Sequence, residues 1–256
     1  MPLFDSHNHL QRFDDPARVI EEMKEAEIAG CVVNGTRESD WGAVGRLAEE
    51  YPDFVQPAFG LHPWYAAERS DKWLSQLEGW LGRFPNASIG EIGLDGWVEG
   101  PSLDEQQEVF LPQLVLARER NLPVTIHALK AWEPLFDAFK RESPPGRLLL
   151  HSFGGSTELM ERLVPMGARF SFSGYFLQPK KAKVLETFKA VPRDRLLLET
   201  DAPEMMPPDE FISHPMERMN HPANLAGIAA GLAGALDIDL DKLTEQTTRN
   251  HIAFFS

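Results

Sequence analysis

Short apolar runs alternate with longer amphipathic stretches from one end of the chain to the other. Leu3-Phe4-Asp5 is the first run. Asp15-Pro16 reads as a helix start, with Asp as cap and Pro in the first turn, and that helix carries Val19, Ile20 and Met23 before stopping at Gly30. Cys31-Val32-Val33-Asn34 is a second strand, followed by a helix near residues 40–50 and a third strand from Val55 to Gly60. Residues 71–84 place Trp73, Leu74, Leu77, Trp80 and Leu81 on one helical face. Strands at 88–93, 123–127, 147–151, 169–173 and 195–201 then alternate with helices at about 103–120, 132–141, 157–164 and 180–190. Helices at 222–236 and 241–255 close the chain, and Pro112 is expected to kink or split the helix that holds it.

Eight strands in strict alternation with helices over 256 residues predict an α/β protein, a (β/α)8 TIM barrel, with residues 1–256 as one domain. The runs at 148–150 and 196–198 are apolar throughout, as in strands covered on both faces. An open doubly wound sheet would carry a glycine-rich phosphate loop after its first strand, and none stands there.

The formal net charge of −14 disfavours a surface that neutralises many phosphates at once. It leaves local phosphate chemistry open, because carboxylates that bind cations count as negative only in the empty site. No apolar run approaches the roughly 18 residues that would span a bilayer, and no secretory leader is evident. The single cysteine, Cys31, sits in an apolar run and is expected to be a small buried side chain. These features predict a cytoplasmic protein with neither a membrane nor an obligate protein partner.

The polar residues that interrupt the pattern fall at strand ends. His7 and His9 follow the first strand two residues apart, so an extended backbone points both the same way. Glu91 lies in the fourth strand, His127 ends the fifth, His151 the sixth and Asp201 the eighth. In a barrel all these ends open onto one face. Six N and O donors exceed the three that hold a single catalytic zinc. They suit two divalent ions about 3.5–4 Å apart with a bridging carboxylate, for which Glu91 is the natural choice. Without thiolates, Mg, Zn, Mn, Ni and Fe all remain open. His62 after the third strand and Lys130 after the fifth are candidate substrate contacts, against ordinary readings as a loop cap and a solvated charge. Gly154-Gly155-Ser156-Thr157 enters a helix either as a phosphate cradle or as a plain cap.

Asp5-Ser-His-Asn-His9, Gly90-Glu-Ile-Gly-Leu-Asp95, Thr125-Ile-His127, His151-Ser-Phe-Gly-Gly155 and Glu199-Thr-Asp-Ala-Pro203 together resemble the motifs of the TatD family of metal-dependent hydrolases, in the family's order and over nearly the whole chain. Asn34-Gly35 and Gly60-Leu-His-Pro63 fit the same pattern. The resemblance implies a TIM-barrel hydrolase with deoxyribonuclease-type phosphodiesterase activity. It implies one metal held by His7, His9, Glu91 and Asp201, and another by Glu91, His127 and His151. The chain departs from the family at Gly96-Trp97-Val98-Glu99, at Lys130, at Asn220-His221-Pro222 and at Arg249-Asn250-His251. These positions touch the substrate rim and the frame, and leave the candidate ligands complete.

The expected reaction is hydrolysis by a water activated between the metals, with Asp201 and Glu91 as catalytic groups and Asp201 accepting the proton. The expected substrate is DNA at ends or in single strands. Alternatives are an amidohydrolase or lactonase, which commonly bridges its metals with a carboxylated lysine; a trinuclear phosphoesterase, which needs more late histidines; and a retired barrel that only binds.

Overall fold

The computed structural model describes residues 2–256. In chain order it has β1 (Leu3–Asn8), α1 (Pro16–Glu25), β2 (Ile28–Asn34), α2 (Glu38–Glu50), β3 (Val55–Phe59) and α3 (Trp73–Arg83). Then come β4 (Ser88–Asp95), α4 (Leu103–Glu119), β5 (Val124–Leu129), α5 (Trp132–Arg141), β6 (Leu148–Leu150) and α6 (Thr157–Leu163). The chain ends with β7 (Ala168–Phe172), α7 (Ala182–Ala190), β8 (Leu196–Leu198), α8 (Leu225–Leu236) and α9 (Leu240–Phe255).

The strands form one parallel sheet in sequence order, the (β/α)8 arrangement that the alternation predicts. The seam between the first and last strands closes just beyond β8. There the amide of Asp201 donates to the carbonyl of His7 at 3.0 Å, and that of His9 donates to Ala202 at 2.8 Å. Asp5 seals the same seam, its two carboxylate oxygens accepting from the Thr200 amide and hydroxyl at 2.9 and 2.6 Å.

Side chains divide as the strand period requires. Leu196 and Leu198 join the large core under the helices, while Leu197 between them belongs to a separate cluster with Val32, Ala58, Leu149, Phe254 and Phe255. This second cluster fills the inside of the barrel, and the two phenylalanines of α9 plug it from below. His251 on α9 stacks on Phe4 of β1 with ring centroids 4.6 Å apart, and its Nδ1 pairs with the Ser6 hydroxyl at 2.9 Å.

Several boundaries differ from the sequence reading. Helix α1 ends at Glu25 rather than Gly30, because Glu27 turns the chain at φ 61° and strand β2 has begun by Ile28. Helix α4 is not split at Pro112. The proline removes one backbone donor, while Val109, Phe110, Leu114 and Ala117 on both sides of it stay buried. Strands β4 and β5 each run two residues further than expected, so His127 lies within its strand. Strand β8 stops at Leu198, so Glu199 to Asp201 lie beyond it.

Candidate metal centre

One carboxylate stands at the middle of the open end of the barrel. Glu91 Oε2 lies 3.5 Å from His7 Nε2 and 3.4 Å from His9 Nε2. Its other oxygen, Oε1, lies 2.7 Å from His151 Nε2, 3.1 Å from His127 Nδ1 and 3.2 Å from His62 Nε2. Asp201 Oδ1 faces the first group, 3.4 Å from His7 and 3.7 Å from His9. Of the other five candidate ligands, four therefore meet at the two oxygens of Glu91, and Asp201 joins them through His7 and His9. The φ of 53° at Asp201 lets the chain turn its carboxylate inward just past β8.

The histidine protons can be assigned from the partners. His9 Nδ1 lies 2.8 Å from the carbonyl of Asn34, which only accepts, so this nitrogen carries the proton and Nε2 keeps its lone pair. His127 Nε2 donates to Asp95 Oδ2 at 2.9 Å, and its Nδ1 faces Glu91 Oε1 at 3.1 Å; burial opposes charge on this ring, but Asp95 and Glu91 prevail and raise its pKa. The Asp95 carboxyl is itself held below the usual range: burial opposes this, and the hydrogen bonds from His127, Trp64 and the Trp97 amide prevail. In His62 the order is reversed. Its Nδ1 accepts from the Trp64 amide at 3.2 Å, so Nε2 is a donor directed at Glu91. Burial pushes the His62 pKa down to about 4, which keeps that ring neutral.

The donor set fits divalent cations. Both ring nitrogens of His7 and Nδ1 of His151 are buried with no hydrogen-bond partner. His151 Nε2 and His127 Nδ1 lie only 3.5 Å apart. Two donors sharing an ion at about 2.1 Å stand roughly 3.0–3.4 Å apart, close to the separations here. Three groupings bring their donor atoms within 4.8 Å: His7, His9 and Asp201; His7, Glu91 and His151; His62, Glu91 and His127. The imidazoles and carboxylates compensate one another's charge. Burial and the neighbouring His151 disfavour charge on His7, but Asp201 and Glu91 prevail and push it up to about 9. Against the cost of burial, His151 and His62 hold Glu91 well below the usual carboxylate range. Asp201 is lowered in the same way by His7 and His151.

The two candidate substrate contacts stand differently. His62 is drawn into the cluster itself. Lys130 stands at the mouth, its ammonium 4.5 Å above the Trp97 ring. A cavity of about 650 Å³ opens above the cluster, with Arg12, Trp64, Trp97, Trp132, Tyr175 and Lys181 on its walls. The turn at Gly154 to Thr157 is an ordinary helix start, in which the Ser156 hydroxyl accepts from the Leu159 amide.

Three supporting groups escaped the sequence reading. Asp95 orients His127 and also accepts from the Trp64 indole at 2.7 Å. Glu199 accepts from the Ser152 amide and hydroxyl at 2.6 and 2.7 Å, and from the Ser171 hydroxyl, beneath His151. Asn34 acts through its backbone carbonyl. All three stood within the motifs that carry the family resemblance, but their roles could not be read there: Asp95 and Glu199 act on histidines from other strands, and Asn34 through a carbonyl that every residue has.

A parallel eight-stranded barrel carrying a buried His/Glu/Asp cluster under an open cavity defines the class: a metal-dependent hydrolase. The chain belongs to the TatD related DNase family, whose sequence model matches residues 4–256. It is 33% identical to the uncharacterized metal-dependent hydrolase YabD of Bacillus subtilis (strain 168) over 97% of this chain and 96% of that one. It is 32% identical to the 3'-5' ssDNA/RNA exonuclease TatD of Rahnella sp. (strain Y9602), covering 87% of this chain and 85% of the relative. The crystal structure of YjjV, a TatD homolog from Escherichia coli K12, superposes with a TM-score of 0.90 at 29% identity, over 99% of this chain and 97% of that one.

Proposed function

We propose that this hydrolase cleaves phosphodiester bonds in single-stranded nucleic acid, working inward from an end, with two divalent ions in its centre. The observation that carries the reading is the division of Glu91: His7 and His9 gather at Oε2, while His127 and His151 gather at Oε1. A carboxylate divided in this way suits a bridge between two cations. His7, His9, Glu91 and Asp201 would hold one ion, and Glu91, His127 and His151 the other. Bound there, divalent ions supply Lewis acidity to water and to the phosphoryl oxygens.

The protein's own groups do the rest. Asp201, on the open side of the cluster, takes the proton of the attacking water. His62 lines the cavity beside the cluster, where its neutral ring can contact the substrate. Lys130 faces a phosphate at the mouth. Buried and fixed by bonds to Asn34, Asp95 and Glu199, the cluster needs little rearrangement to reach its working geometry. The nuclease reading is also supported by relatives named as single-strand exonucleases. The net charge of −14 favours ends and single strands over a long duplex, since few phosphates can be neutralised at once.

Reconstitution with each metal, followed by assay on DNA, RNA, simple phosphodiesters, lactones and amides, tests the substrate class. Turnover of lactones or amides alone would refute it. Asp201→Asn tests the role of the carboxylate. Single-turnover hydrolysis should slow by roughly 10²–10⁴-fold with substrate binding retained. Recovery to near the wild-type rate on adding excess metal would make Asp201 a ligand only.

A further inference from the structure

Trp97 is 66% exposed, yet it lines the cavity above the cluster. Its backbone is tightly held. The amides of Trp97 and Val98 donate to Asp95 Oδ1 at 2.7 and 3.1 Å, and the Gly96 amide donates to the Leu129 carbonyl at 2.8 Å. The Gly96 backbone also abuts that of Lys130, leaving no room for a side chain at residue 96. Asp95 is the carboxylate that orients His127. The loop bearing Trp97 is therefore anchored to the same group as the centre.

The ring's environment points to its ligand. The Lys130 ammonium stands over one face, 4.5 Å from the centroid, and engages no carboxylate among the described residues. The high exposure leaves the other face free. A rigid aromatic face beside an uncommitted cation matches the two halves of a nucleotide, since bases stack on aromatic side chains with little regard to sequence and phosphates follow the cation. On a chain of net charge −14, such a local cation is where a phosphate can be met.

We infer that Trp97 and Lys130 form a specificity-determining platform: a nucleobase next to the scissile bond stacks on Trp97 while its phosphate meets Lys130. This rests on the nuclease reading, and the test separates the two. Metal-loaded protein is titrated with deoxyadenosine 5′-monophosphate and with deoxyribose 5-phosphate, by heat and by tryptophan fluorescence. The base should tighten binding roughly 5- to 150-fold and quench the fluorescence. Trp97→Phe should remove the quenching and keep most of the affinity. Trp97→Leu should reduce the nucleotide to the affinity of the sugar phosphate, and Lys130→Gln should weaken both ligands alike. In hydrolysis of a single-stranded oligonucleotide, Trp97→Leu should raise KM for a base-bearing end and leave an abasic end unchanged. Equal affinity for the two ligands, or a base preference that survives Trp97→Leu, overturns the platform. A protein that keeps the base preference but cleaves no phosphodiester sinks the nuclease reading alone.

Discussion

Asp95 shows how much one side chain can carry. Its Oδ2 accepts from both His127 and Trp64, and its Oδ1 accepts from two backbone amides. In Asp95→Asn the new amide group must face one of these donor pairs, whichever way it turns. Metal affinity should fall roughly 10- to 100-fold, because His127 loses the partner that orients its ring. Stability should fall by about 1–3 kcal/mol from the unmet buried donors. Calorimetric metal titration beside chemical denaturation checks both. Lower stability with unchanged metal affinity would confine Asp95 to the frame. At this scale the candidate ligands were legible because donors at successive strand ends are improbable by chance. The proton positions were not, since each is set by a residue distant in sequence: Asn34 for His9, Asp95 for His127.

At the scale of elements, β4 and β5 must lie side by side at the point where Glu91 and His127 emerge. Gly93 makes this possible. Its φ is 150°, and a Cβ there would stand 1.9 Å from the carbonyl oxygen of His127. Gly93→Ala should therefore push the two strands apart and cost a few kcal/mol. Thermal unfolding and metal titration should both shift. A variant as stable as the parent, with metal binding intact, would show that the strands can yield there. The alternation of elements was readable because strands buried on both faces are uninterrupted apolar runs, while helices bury one stripe. Their ends were less so. The extra residues of β4 and β5 depend on pairing between Gly93 and His127 through Asp95 and Leu129, and Glu27 turns the chain without being glycine.

The whole molecule is closed by contacts between its two ends. His251 reaches Ser6 across 245 residues, and burial pushes its pKa down to about 3. The folded protein therefore keeps this ring neutral, while the unfolded chain binds a proton below about 6.5. Its contribution is full above that value and is lost as pH falls toward 3. Between pH 7 and 5 this group alone should remove about 2 kcal/mol of stability. His251→Gln, which can still bond Ser6, should lower stability at pH 7 yet show a shallower acid slope. Urea unfolding at the two pH values measures the difference, and parallel slopes would refute the assignment.

The chain's own pattern determined the count and order of its elements, and with them the face on which the six polar residues gather. Periodicity is local, and in a parallel barrel strand order follows chain order, so both could be read without coordinates. The tertiary structure decided how Glu91 divides its oxygens, that His62 joins the cluster as a donor, and where the barrel seam closes. It also placed Trp97 over the cavity beside Lys130. These depend on distances between residues far apart in the chain and on backbone carbonyls that every residue has, so no residue type announces them.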